Sequence, residues 1–138
     1  MSAERLVQRF SALREDAQRV APGMPVFLWL ANDDYFPNKR DYAFCLDENG
    51  VKFIAGGRKL LRANPDRQEA LLRHELGHAL DYHLGPKLDE MYRDLPQTAE
   101  RRADAIAEAV WGDPILYDKD QVQSLRHGVT PRPRKLGL

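Results

Sequence analysis

A chain of 138 residues is long enough for one hydrophobic core and too short for two ordinary domains, so any active site is built within a single small domain spanning 1–138. Lys plus Arg equals Asp plus Glu, 21 against 21, which excludes a global field for nucleic acid or anionic lipid, and no nucleic-acid partner is expected. The longest apolar run, Val26 to Ala31, falls far below the roughly 20 residues of a membrane span, so no membrane partner is expected either.

The start of the chain, "MSAERLVQRF", lacks the apolar block of a secretory signal. Leu6, Phe10, Leu13, Ala17 and Val20 recur at helical spacing between a Ser2 cap and the Pro22-Gly23 break, which predicts an amphipathic scaffold helix within residues 1–22. "VFLWLA" is a short run of strand formers. "DYAFCLD" and "VKFIAG" then flank Asp47-Glu48-Asn49-Gly50, whose Asn-Gly pair signals a hairpin. The lone Cys45, between apolar Phe44 and Leu46, cannot form an internal disulfide and reads as a structural thiol in a reducing, cytoplasmic protein. Gly56-Gly57 breaks the strand pattern, and the stretch to Ala63 suits either a loop or a further short strand.

Asn64 as N-cap, Pro65 at the first helical position and Gly85-Pro86 as stop bracket a helix of about twenty residues. Leu72, Leu76, Ala79, Leu80 and Leu84 form its buried flank. Gly77 inside it costs roughly 1 kcal/mol of helix propensity against alanine, which points to close approach of a backbone or a substrate. "GPKLDEMYRDLPQ" reads as a connector. A second helix starts between Asp94 and Thr98, runs through Ala99 to Val110 and stops at Gly112-Asp113-Pro114. Asp118 to Arg126 is a third short helix, capped by Asp118 and Gln121 and stopped by Gly128, and 129–138 is an extended surface arm in which Arg132, Arg134 and Lys135 are solvated.

His74, Glu75, Leu76, Gly77 and His78 form an H-E-x-x-H pattern, and at about 3.6 residues per turn a helix puts both histidines on one face. A hydrolytic zinc site takes three protein ligands and keeps one position open. Glu100, in the first turn of the second helix, is the candidate third ligand. Asp104, one turn along, can accept the free ring N–H of a bound histidine and fix its tautomer. Glu75 points about 100° around the helix from His74, so it cannot comfortably share the ion, yet it reaches a water there and is the expected general base. The cofactor is Zn2+, although two imidazoles and a carboxylate also accept other divalent ions such as cobalt and manganese. The reaction class is amide-bond hydrolysis.

"HELGH" followed by "ERRAD" resembles the gluzincin metallopeptidases, in which a Glu-x-x-x-Asp helix follows His-Glu-x-x-His. "HELGHALDYH" with "ERRADAIAEAV" is also similar to small phage and bacterial peptidases of the ImmA/IrrE type. The resemblance spans Ala70 to Trp111. It implies zinc ligands at His74, His78 and Glu100, a catalytic Glu75, and Asp104 holding a ligand from behind. A similar pattern occurs in a class of membrane peptidases, but this chain lacks their spans.

Taken without the histidines, Glu100 and Asp104 would be a solvated helix face pairing with Arg101 and Arg102. His83 lies off the face of His74 and His78 and suits the helix C-terminus. His127 is the candidate oxyanion stabiliser, with Arg126, Tyr117 and Tyr92 also late enough in the chain to serve. Trp29 and Trp111 read as core. The expected molecule is thus a small single-domain α+β zincin-like fold, its short sheet and hairpin packed on a metal-binding helix pair. It would cleave a specific protein or peptide received as an added strand along Val51 to Ala55. The alternative is a catalytically silent, zinc-stabilised module that binds a regulatory protein.

Overall fold

The first helix, α1 (Ala3–Val20), turns Leu6, Phe10, Leu13 and Ala17 inward, following the spacing of its apolar residues, with Val20 partly buried beside them. The computed structural model describes residues 3–32, 36 and 42–114. The Ser2 cap, the helix expected at Asp118 to Arg126 and the arm at 129–138 lie outside the described residues. Three strands follow α1: β1 (Val26–Leu30), β2 (Ala43–Glu48) and β3 (Val51–Gly56). The hairpin between β2 and β3 turns on Asn49 and Gly50, both at positive φ (53° and 87°), the backbone that a two-residue turn requires and that Asn-Gly adopts readily.

The sheet order is β1-β3-β2, with β1 parallel and β2 antiparallel to β3. This corrects the expected edge at Val51 to Ala55. Phe53 pairs with Phe27 on one side and Leu46 on the other, so β3 is central and has no free edge to offer. Alternation along the strands sends Val26 and Ile54 into the core (1% and 0% exposed), while Phe27 and Trp29 face outward. Trp29 is therefore not core. With Phe27, Leu46 and Phe53 it borders a groove of about 420 Å³.

Residues 58–62, open between loop and strand in the sequence, form a short helix, α2 (Arg58–Arg62), that buries Leu60. The long helix α3 (Pro65–Leu84) begins where Asn64 accepts the Arg67 backbone N–H at 2.9 Å and ends at Gly85, whose φ is 53°. Leu72, Leu76, Ala79 and Leu80 are fully buried, and Leu84 is partly so. The connector contains a one-turn helix, α4 (Lys87–Met91), and sends Leu88, Tyr92 and Leu95 into the core. The last described helix, α5 (Ala99–Trp111), starts at Thr98 and stops at Gly112 in the left-handed region.

Three strands and five helices thus make an α+β fold among the described residues. α3 lies at its centre, against α5, α1 and the helix-facing side of β2 and β3. Trp111 is partly buried. Its indole N–H donates to Asp16 of α1 at 2.9 Å and the Arg73 guanidinium of α3 stands over its ring, tying the end of α5 to both helices. No helix among the described residues is long and apolar enough to cross a membrane.

Candidate metal centre

Contacts descend along α5 as they ascend along α3: His74 meets Asp104, Gly77 meets Ala103, and Asp81 meets Arg102. The two helices therefore cross with opposed directions, and the closest point of the crossing is Gly77. A Cβ there would overlap the Ala103 carbonyl oxygen and lie 3.2 Å from the Ala103 Cα. Of the two needs the glycine suggested, the structure places the backbone of α5 beside it.

This approach brings three donors together. His74 Nε2 is 3.1 Å from His78 Nε2 and 3.0 Å from Glu100 Oε1, and His78 Nε2 is 2.9 Å from Glu100 Oε2. Taking one ligand atom from each residue, the three atoms all lie within 4.8 Å of one another, close enough for the group to hold a single metal ion. The donor set, two imidazole nitrogens and one carboxylate, suits zinc. On the far side of His74, Nδ1 lies 2.7 Å from Asp104 Oδ1. With Asp104 fixing that nitrogen as the donor, Nε2 is the nitrogen directed at the other ligands.

His74, Glu75, His78 and Asp104 are all at most 9% exposed, whereas the Glu100 side chain is 71% exposed and closes the cluster from the solvent side. Burial alone would depress the His74 pKa, but hydrogen bonding to Asp104 and Glu100 outweighs it and pushes the imidazole up to about 10. The hydrogen bonds to His74 and His78 hold Glu100 well below the usual carboxylate range. Without a metal, these hydrogen bonds favour the protonated form of His74.

Glu75 does not join the ligand group, yet its Oε2 comes within 4.0 Å of His74 Nε2. Burial pushes its carboxyl up to about 7, partly opposed by the charges of His74 and His78. A carboxylate beside the donors, titrating near neutrality, has the position and the proton affinity of a general base.

No family model, curated protein or solved structure matches this chain.

Several other residues fall into place around the cluster. Cys45 lies in β2 outside the donor group, partly buried, its thiol pushed up to about 12 by burial and by the charge of Glu75. Tyr92 is 1% exposed within the core and cannot serve as a surface donor, which corrects its candidacy. His83 is exposed in the last turn of α3, off the site as expected. His127, Arg126 and Tyr117 lie outside the described residues.

Two neighbours were not singled out from the sequence. Tyr82, 51% exposed, stacks on the His78 ring at a centroid distance of 6.4 Å; the spacing of His74, His78 and Tyr82, each four residues from the last, is the signal that could have found it. Arg102 turns away from Glu100 into a buried cluster of acids, and nothing in its local pattern distinguishes it from a solvated arginine.

Proposed function

We propose that this chain is a zinc-dependent metallopeptidase of zincin-like fold that hydrolyses a peptide bond in a specific protein or peptide. The observation that carries the reading is the convergence of His74, His78 and Glu100, one ligand atom from each within 4.8 Å of the others, beside a buried Glu75 whose pKa is raised to about 7. Held by those three donors, zinc supplies Lewis acidity to a water and to the scissile carbonyl. Glu75 takes the proton of the attacking water and returns it to the leaving amine nitrogen. Asp104 keeps His74 in one tautomer and one orientation.

Substrate specificity in this reading comes from the sheet edge next to α3. β2 is an edge strand packed on α3, so its outer backbone groups can take an extended peptide as an added strand alongside the ligands. That role passes to β2 from the central β3. The lone cysteine, which cannot form an internal disulfide, supports placement in a reducing compartment such as the cytoplasm.

The decisive comparison is between wild type and Glu75→Gln, each loaded with zinc and incubated with a whole-cell protein extract in which new chain termini are mapped. Zinc-dependent termini in the wild type, lost in a Glu75→Gln protein that still holds a single zinc, are the expected result. Zinc bound without any new termini would leave the silent binding module as the better reading. No bound zinc at all would defeat both.

A further inference from the structure

Glu100 is the most weakly held of the three donors. His74 and His78 project from the middle of α3 into a packed interior, whereas the Glu100 side chain is largely exposed in the first turn of α5. Glu100 meets the histidines because the start of α5 is held in one register on α3. Ala103 against Gly77 fixes how closely the helices approach, but a contact between small groups leaves sliding and rotation of the first turn open.

Arg102 removes that freedom. Its guanidinium is buried, and all five of its N–H donors have acceptors. Nε donates to Asp81 Oδ1 at 2.8 Å. Nη1 and Nη2 donate in parallel to Asp89 Oδ1 and Oδ2, both at 2.8 Å, and the remaining two N–H groups reach the carbonyls of Pro96 at 3.4 Å and Gly85 at 3.2 Å. Those acceptors come from the last turns of α3, its C-cap, α4 and the segment leading into α5. Every element that could let the start of α5 drift away from His78 is joined at one planar, rigid group. Lysine, a single ammonium with three donors, cannot reproduce this fork.

We infer that Arg102 is the positioning residue of the site: by locking the first turn of α5 to the C-terminal half of α3, it presents Glu100 to His74 and His78. The inference rests on the zinc reading above. It assigns to Arg102 an effect on metal binding that passes entirely through Glu100.

That restriction makes it testable with a double-mutant cycle in the full chain, using zinc affinity measured by competition with a chromophoric chelator. Arg102→Lys should weaken zinc roughly tenfold or more, as loss of an orienting partner does. In a Glu100→Ala background the same substitution should cost almost nothing further, because the side chain it positions is gone. Leu13→Ala, a core truncation in α1, should lower the unfolding temperature while leaving the zinc affinity within about twofold. Should Arg102→Lys fail to fold, Asp89→Asn takes its place, since it loosens the fork from a half-exposed side chain. Additive losses in the cycle, or unchanged affinity in folded Arg102 and Asp89 variants, would overturn the inference. Absence of zinc from the wild type would instead remove the proposed function, and this inference with it.

Discussion

The carbonyl oxygen of Ala103 occupies the place where a side chain at Gly77 would begin, so the missing methyl of one helix is the seat of the other. Two effects compete when Gly77 becomes alanine. Helix propensity favours the change by about 1 kcal/mol. Overpacking against backbone, which cannot rotate aside as a flexible side chain could, costs about 1–3 kcal/mol. The second effect prevails because the clash falls on a carbonyl at the centre of the crossing. Gly77→Ala is expected to destabilise the metal-free protein in urea denaturation and to weaken zinc binding, since α5 carries Glu100 away with it. A gain in stability would show that the crossing has room to spare.

Asp104 is expected to matter for metal affinity although it is not a ligand. It lies 2.7 Å from His74 Nδ1 and is nearly buried, so no water readily replaces it. Asp104→Ala should reduce zinc affinity roughly 10–100-fold by chelator competition, the range for loss of such an orienting carboxylate. A reduction below about twofold would mean that packing alone fixes the His74 ring.

How much of this was legible beforehand depends on the range of the interaction involved. Asn64-Pro65 and Asn49-Gly50 are local devices, and the helix start and hairpin turn appear where those pairs stand. The grouping of His74, His78, Glu100 and Asp104 was also accessible, because a four-residue spacing on two helices needs only one crossing to bring the pairs together. Strand order was not accessible. The hairpin pairs β2 with β3, but which side of it receives β1 depends on tertiary packing that no local pattern encodes. Arg58-Lys59-Leu60-Leu61-Arg62 has too few apolar residues to reveal a period, so its pattern suits a loop or a short strand as well as the helix α2. Arg102 was obscured for a related reason: its acceptors stand 6 to 21 residues away, on elements whose packing no local pattern encodes.

The protonation of the cluster predicts opposite pH responses with and without metal. His74 is raised from 6.5 to about 10, so its contribution to metal-free stability is fully present below pH 6.5 and is lost as pH rises through 10. Glu75 is raised from 4.5 to about 7, so keeping it buried becomes unfavourable as pH rises across that window. Glu100 is lowered, and its contribution is lost as pH falls below the ordinary carboxylate value. Protein treated with a chelator should therefore be most stable on the acid side of neutrality and weaken toward pH 10. Zinc needs His74 Nε2 free of its proton, so the stabilisation it adds should grow with pH, and binding near pH 7 should release about one proton or more. Calorimetry in buffers of different ionisation enthalpy reads that release directly. Zinc uptake without proton release would contradict the His74–Asp104–Glu100 arrangement.

Tyr82 offers a test of the proposed peptidase function from the exposed side of the cluster. Its ring lies over His78 while half of the residue remains exposed, so the open mouth of the cluster has an aromatic wall. Its phenol pKa is raised, by burial first and then by the nearby Cys45, Glu75 and Glu100, so at neutral pH it remains a hydroxyl able to donate. A half-exposed residue with few core contacts contributes little to folding, and both Tyr82→Phe and Tyr82→Ala should unfold within about 0.5 kcal/mol of wild type and retain zinc. An aromatic contact to substrate contributes about 0.5–1.5 kcal/mol, which predicts a two- to tenfold fall in kcat/KM for Tyr82→Ala, roughly. Tyr82→Phe separates the two properties of the ring: it keeps the stack on His78 and loses the donor. Activity kept by phenylalanine and lost by alanine would assign Tyr82 to substrate packing, and activity lost by both would assign it to hydrogen bonding at the reacting carbonyl. Full activity in both variants would show that Tyr82 takes no part in binding or turning over the substrate.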